Sequence, residues 1–162
     1  MLSSTVQEAM NQQINAELYS AYLYLSMAAN FEEGNLRGMA HWMQIQAKEE
    51  VGHAMKFFKY ISERGGRVTL TAVAAPPTKW DSPQAVFQQA YQHECHVTSL
   101  INKLVELAGA EKDHASSVFL QWFVNEQVEE EANASEIVHH LGMVGDSKQG
   151  LLMLDRHLGQ RQ

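Results

Sequence analysis

The positions of proline most strongly constrain what this chain can fold into. All three prolines, Pro76, Pro77 and Pro83, lie in one short segment, and proline is the residue that most strongly interrupts a helix. On either side of that segment, breaks are expected only where glycines gather, near residues 34, 65–66, 109 and 142–145. The sequence therefore predicts long helices on both sides of a proline-containing connection.

Five helices follow from these breaks and from the capping residues beside them. They are predicted at about residues 4–32, 35–64, 83–108, 113–141 and 146–158. Apolar residues recur at steps of three and four along each of the four long segments. Strand-like alternation occurs only in "GRVTLTAV", within the connection. The predicted fold class is all-α.

The lengths of the connections predict the topology. The first and third are short enough to require antiparallel helix pairs, whereas residues 65–82 could span about 60 Å at ~3.3 Å per residue. That reach would return the chain along the whole bundle. One long crossover gives the ferritin-like four-helix bundle, here with a short fifth helix. The length suits a single domain, residues 1–162.

Charge and composition exclude several classes of partner. The formal net charge is −7, which argues against nucleic acid because phosphate binding needs a concentrated basic surface. No stretch approaches the ~18 uninterrupted apolar residues of a membrane span, so no membrane partner is expected. The N-terminus has no secretory pattern, and Cys95 is the only cysteine. We expect a cytoplasmic protein.

Polar residues interrupt the apolar stripe of every long helix near its middle. Because these interruptions lie at about the same height, we expect them to converge on the bundle axis. Four carboxylates in an apolar core would each cost several kcal/mol if unpaired, and no Lys or Arg falls on these stripes beside them. The convergent set is Glu17, Glu50, His53, Glu94, Gln127 and Glu130.

A dinuclear metal site accounts for this set. Two divalent cations would balance the four carboxylates, and the neutral imidazole would add a ligand without charge. Glu50 and His53 have the i, i+3 spacing by which one helix of a bundle gives two ligands, and Gln127 and Glu130 repeat it. Carboxylate-rich ligation with one imidazole suits iron or manganese, and hard anionic oxygens favour ferric over ferrous iron. This predicts ferrous oxidation by O2.

Residues beside the set have functional and ordinary interpretations. Tyr24 lies on the same face as Glu17 and either hydrogen-bonds a ligand carboxylate or donates an electron; alternatively it is a core aromatic. Three further acids each precede a member of the set and point ~100° away from it. They predict an accessory iron site or access path, or else a solvated face: Glu49, Glu126 and Glu129. The remaining histidines, His93 among them, are interpreted as surface or interface residues.

The chain resembles the non-haem ferritins of bacteria and archaea along essentially all its length. The motifs that carry the resemblance are "NAELYSAYLY", "QAKEEVGHAMKFFKYISERGGRV", "ECHVT" and "FVNEQVEEE". It implies an iron-storage ferroxidase that oxidises Fe(II) with O2 or peroxide. It also implies a homo-oligomeric cage of 24 subunits that holds a ferric mineral.

The resemblance also implies a role for each matching residue. Glu17, Glu50 and His53 would bind one iron, and Glu50, Glu94 and Glu130 the second, with Gln127 nearby. Glu49, Glu126 and Glu129, with Glu130, match a third iron site, and Tyr24 matches a tyrosine beside the diiron centre.

Departures from related families narrow the expectation. Bacterioferritins have a second Glu-x-x-His where this chain has Gln127 and Glu130, and a haem-ligating methionine where it has Gly52, so no haem is expected. Animal ferritins line a pore with acids where this chain has Ser117 and Leu120, which places that iron route in doubt. Two alternatives remain open: a diiron or dimanganese oxidase of small oligomeric state, and a metal-free helical scaffold.

Overall fold

The computed structural model describes residues 1–162 as five α-helices without a strand, which confirms the all-α prediction. The helices are α1 (Ser4–Glu33), α2 (Arg37–Glu63), α3 (Pro83–Ala110), α4 (His114–Val144) and α5 (Lys148–Leu158). Their ends differ from prediction by a few residues. In particular, α2 begins at Arg37, α4 continues past Leu141 to Val144, and α5 begins at Lys148. None of the five helices combines the length and the hydropathy of a membrane-spanning segment.

The connection between α2 and α3 is the predicted long crossover. It has no regular secondary structure, and side chains of α1 fix it at intervals along that helix. Asn11 donates to the backbone carbonyl of Arg67 (3.0 Å), and Asn15 donates to that of Ala72 (3.0 Å). Further along, Ser26 bonds the carbonyl of Pro77. The crossover therefore follows α1, and α1 and α2 form one helix pair while α3 and α4 form the other.

Local sequence signals set the ends of the helices. Gly65 has a φ of 72° and follows α2, where the Gly66 N–H donates to the carbonyl of Ile61 at 2.9 Å. This pairing is the Schellman motif, which glycine favours because a Cβ disfavours positive φ. The Ser82 hydroxyl accepts the N–H of Ala85 (3.1 Å) at the start of α3, with proline at the first helical position.

Helix α5 docks on the start of α2, which has no capping side chain of its own. The carboxylate of Asp155 accepts the N–H of Met39 at 2.8 Å and so caps α2 from the opposite end of the sequence. The close approach requires glycine, because a Cβ at Gly38 would lie 1.7 Å from the Asp155 carbonyl oxygen. Helix α5 is therefore fixed to the start of helix α2.

The bundle core consists of two apolar halves with a polar layer between them. One half includes Phe31, Met39 and Phe87, and also receives α5. The other includes Phe57 and Phe123, whose rings stack at 4.2 Å. The polar residues predicted from the stripe interruptions lie between these two halves.

Candidate metal centre

All six residues of the convergent set lie in the polar layer. Each is at most 5% exposed, although four of them are glutamates. The set is drawn from all four long helices: Glu17 on α1, Glu50 and His53 on α2, Glu94 on α3, and Gln127 and Glu130 on α4. The bundle thus holds four carboxyl groups and an imidazole away from water.

One part of the layer brings Glu17, Glu50 and His53 together. Each of these three side chains has a potential ligand atom within 4.8 Å of the other two. Glu50 Oε2 lies 3.2 Å from His53 Nδ1, and Gln13 donates to Glu17 Oε1 at 2.8 Å. The other oxygen, Glu17 Oε2, is fully buried and has no hydrogen-bond partner. A buried carboxylate oxygen without a partner is costly unless a cation binds it.

The other part of the layer centres on Glu94 and Glu130. Tyr24 donates a hydrogen bond to Glu94 Oε1, which agrees with the predicted contact between this tyrosine and a carboxylate of the set. Gln127 donates to Glu94 Oε2 at 3.2 Å. Gln46 donates to Glu130 Oε2 (2.7 Å) and to Glu50 Oε1 (3.2 Å), so a single amide connects the two parts.

The three flanking acids have different surroundings. Glu126 lies on the layer, with Oε1 3.6 Å from His53 Nε2, and it forms a second possible ligand group with His53 and Glu130. Glu49 is instead paired with Arg161, whose Nη2 lies 2.6 Å from its Oε2. Glu129 is exposed. The structure therefore brings Glu126 to the centre but leaves Glu49 bound to a basic residue.

Burial and mutual repulsion make the carboxyl groups of the layer hard to ionise. Burial, followed by the charge of Glu50, raises the pKa of Glu17 well above its ordinary value. Burial and then Glu94 raise the pKa of Glu50 well above its ordinary value and that of Glu130 to about 7. The pKa of Tyr24 is also raised well above its ordinary value by burial and by the charge of Glu94.

These groups suit a hard divalent cation. The donors are carboxylate oxygens and imidazole nitrogens without a thiolate, and the layer contains an unpartnered carboxylate oxygen. Dications among the carboxylates would replace the missing hydrogen bonds and remove the repulsion between the acids. His53 faces Glu50 with Nδ1 and Glu126 with Nε2, so it belongs to both ligand groups.

Some residues around the layer were not predicted from the sequence. Gln13 and Gln46 orient glutamates of the set, and Arg161 reaches the layer from beyond α5. His93 is half-buried, and its Nε2 lies 2.7 Å from the hydroxyl of Ser20, a contact that the sequence did not predict. Burial and the neighbouring His96 lower its pKa to about 4.

Comparison with known proteins identifies the family. A sequence model of the ferritin-like domain matches residues 7–144. The chain belongs to the ferritin family of iron-storage proteins. A bacterial non-heme ferritin of Bacteroides fragilis is 46% identical over 161 residues, which cover 99% of this chain and 100% of that protein. A probable bacterial non-heme ferritin-like protein of Haemophilus influenzae is 39% identical over 98% of this chain and 96% of its own length.

Solved ferritin structures have the same fold. An open-pore ferritin from the hyperthermophilic archaeon Archaeoglobus fulgidus superposes with a TM-score of 0.99 at 55% identity, and each chain is covered completely. A form of the same archaeal ferritin engineered to be closed also gives a TM-score of 0.99, at 54% identity. These comparisons confirm the ferritin-like fold and the family resemblance predicted from the sequence.

Proposed function

We propose that this chain is a ferroxidase and iron-storage subunit whose polar layer binds two Fe(II) ions as substrates. The observation that carries the proposal is the burial of four carboxyl groups and an imidazole at one height, where one oxygen has no partner. The first ion binds Glu17, Glu50 and His53. The second binds Glu50, Glu94 and Glu130, with Gln127 alongside.

The chemistry is oxidation of the two substrate ions. Each Fe(II) gives up one electron, and the pair of electrons reduces either O2 to hydrogen peroxide or peroxide to water, with protons taken from solvent. Carboxylate oxygens favour the ferric product because they are hard anionic ligands. Glu50 contributes to both ions, which places them side by side. Tyr24 and Gln127 orient Glu94, and Gln46 orients Glu50 and Glu130.

A third iron binds outside the first two, at Glu49, Glu126 and Glu129 together with Glu130. The support for this site is the position of Glu126, 3.6 Å from His53 Nε2 and grouped with Glu130. Exposed Glu129 gives this side contact with solvent, in contrast to the buried layer. Ions that enter or leave the layer would pass these acids.

Storage requires a shell, and we propose a cytoplasmic, homo-oligomeric cage of 24 subunits that holds a ferric mineral and no haem. The support is the ferritin family membership and the full-length match to the archaeal ferritin. A net charge of −7 on each subunit would draw ferrous ions to the shell. The absence of a methionine at Gly52 supports the non-haem assignment.

Substitution of Glu50 by alanine tests the assignment. Because Glu50 contributes to both ions, Glu50→Ala should reduce the initial rate of ferrous oxidation to that of the uncatalysed reaction, measured by stopped-flow absorbance of the ferric product. Glu63→Ala makes the same change at a position 62% exposed on the same helix and should leave the rate unchanged. An unchanged initial rate in Glu50→Ala would refute the site.

Mass and iron capacity test the storage function separately. Size-exclusion chromatography with light scattering should give the mass of a shell, and iron loading should give many ions per subunit. A compact dimer that retains two ions per subunit would contradict storage and favour a small diiron or dimanganese oxidase.

A further inference from the structure

The C-terminal tail brings a guanidinium group to the edge of the polar layer. Arg161 lies beyond α5, and its Nη2 donates to Glu49 Oε2 at 2.6 Å while its Nη1 donates to Gln46 Oε1 at 2.8 Å. The guanidinium also lies over the ring of Trp42, at 4.3 Å from the centroid. The backbone carbonyl of Arg161 is 2.8 Å from His41 Nε2. Four residues of α2 therefore hold this one arginine.

We propose that Arg161 occupies the position of a cation at Glu49, so that the third ion binds only when the C-terminal tail is displaced. This inference rests on the proposed function, because it takes Glu49 as a ligand of a third iron. It assigns Arg161 as a positioning residue that sets the affinity of that site.

Charge is the first reason. The Glu49 carboxylate is about 40% exposed, and Arg161 already supplies the positive charge that a metal ion would otherwise supply. A divalent ion and a guanidinium on the same carboxylate would repel each other, since both are cations a few ångströms apart. Binding of the ion must therefore overcome the bond to Arg161 as well as the hydration of the ion.

The amide of Gln46 transmits the state of the tail to the other two ions. A guanidinium can only donate hydrogen bonds, so Gln46 must turn its oxygen towards Arg161 and its nitrogen towards Glu50 and Glu130. Departure of Arg161 leaves the amide free to rotate. Arrival of a third ion would thereby change the hydrogen bonds of Glu50 and Glu130, which bind the first two ions.

Anaerobic calorimetric titration with Zn(II) alone, a redox-inactive probe, tests the proposal on the assembled protein. Arg161→Ala should lower the dissociation constant of the weakest ion by about twofold to fivefold, the range expected for loss of a partly exposed ion pair. Arg161→Lys keeps the positive charge. Its dissociation constant for the weakest ion should therefore stay close to that of the wild type. Arg156→Ala removes the same charge from an exposed position on α5 and is the matched control.

Tryptophan emission gives a readout that does not depend on iron oxidation. Displacement of Arg161 removes the cation over Trp42, so saturation of the weakest ion should change the emission of the wild type. Because the Trp122 ring lies 5.4 Å from the ring of His53, the measurement is made in a Trp122→Phe background. There the change should be absent when Trp42→Phe or Arg161→Ala is added. Glu49→Gln should remove the weakest ion, and in that background Arg161→Ala should not restore it.

The outcomes separate this inference from the proposed function. If wild type and Arg161→Ala bind the first two ions equally well and the weakest ion with the same affinity, the role of Arg161 is refuted while the ferroxidase assignment stands. Absence of a third ion from both proteins also refutes it. If neither protein binds even two ions, the proposed function fails first. Emission that does not respond to the third ion in the wild type contradicts displacement of the tail.

Discussion

Replacement of Glu130 by glutamine is expected to stabilise the ion-free protein above neutral pH. Burial and the charge of Glu94 raise the pKa of this carboxyl from 4.5 to about 7. A group with a raised folded-state pKa contributes stability that is complete below about pH 4.5 and is lost as pH rises through about 7. The folded wild type therefore becomes less stable as pH increases across that window.

The magnitude follows from the same two pKa values. The difference corresponds to on the order of 3 kcal/mol once Glu130 is ionised in both states, and to less than about 1 kcal/mol near pH 5. The glutamine amide carries no charge and keeps an oxygen that accepts from Gln46. At roughly 2–4 °C per kcal/mol for a chain of this size, Glu130→Gln should melt roughly 6–12 °C higher than wild type near pH 8.

Circular dichroism melts of chelator-treated protein at about pH 5 and pH 8 measure this difference. Glu129→Gln is the matched control, because it makes the same change at an adjacent exposed position and should leave the melting temperature nearly unchanged. Excess Zn(II) should reverse the order, since the ion stabilises the intact carboxylate set. Variants are compared at equal oligomeric mass and concentration.

Two results would refute the reasoning. The first is a Glu130→Gln melting temperature near pH 8 that equals that of Glu129→Gln. The second is a difference that shrinks as pH rises, because that would mean the buried carboxyl does not resist ionisation.

Two further substitutions test other contacts. Tyr24→Phe removes the donor to Glu94, a bond to a charged group worth about 1.5–3 kcal/mol, so Zn(II) calorimetry should show the second ion bound roughly tenfold or more weakly; equal affinities would contradict the role of this bond. Gly38→Ala places a Cβ 1.7 Å from the Asp155 carbonyl oxygen, so α5 must shift and the free energy of unfolding should fall by about 1–3 kcal/mol in denaturant titration. Gly52→Ala, where a Cβ meets nothing within 4 Å, is the control and should be neutral or stabilising.

Helical periodicity explains why the polar layer could be predicted. The direction of a side chain on a helix follows from its position in the sequence, so the interruptions at Glu17, Glu50 and Glu94 predict inward-facing groups without knowledge of how the helices pack. The lengths of the helices and connections then indicated that these interruptions lie at the same height along the bundle axis. The ligand assignments themselves stay predictions until metal binding is measured.

Contacts made by irregular or flexible parts of the chain could not be predicted in this way. The tail after α5 has no periodicity, so nothing in the sequence indicates that Arg161 returns to Glu49. The role of Gln46 depends on the orientation of its amide, which Arg161 and two carboxylates determine. The contact of His93 with Ser20 was not predicted because no periodic signal separates a histidine that hydrogen-bonds a buried hydroxyl from one that faces solvent.

The cap of α2 has a consequence for the order in which the chain can fold during synthesis. The bond from the Met39 N–H to the Asp155 carboxylate joins residues 116 positions apart, and α2 has no capping side chain of its own. On the ribosome, the second helix therefore emerges with its first turn uncapped and remains so until Asp155 has been made. Chains that end before Asp155 would leave that turn frayed, about three turns before Glu50 on the same helix. Order at the start of the helix that carries two of the proposed iron ligands thus depends on synthesis of α5.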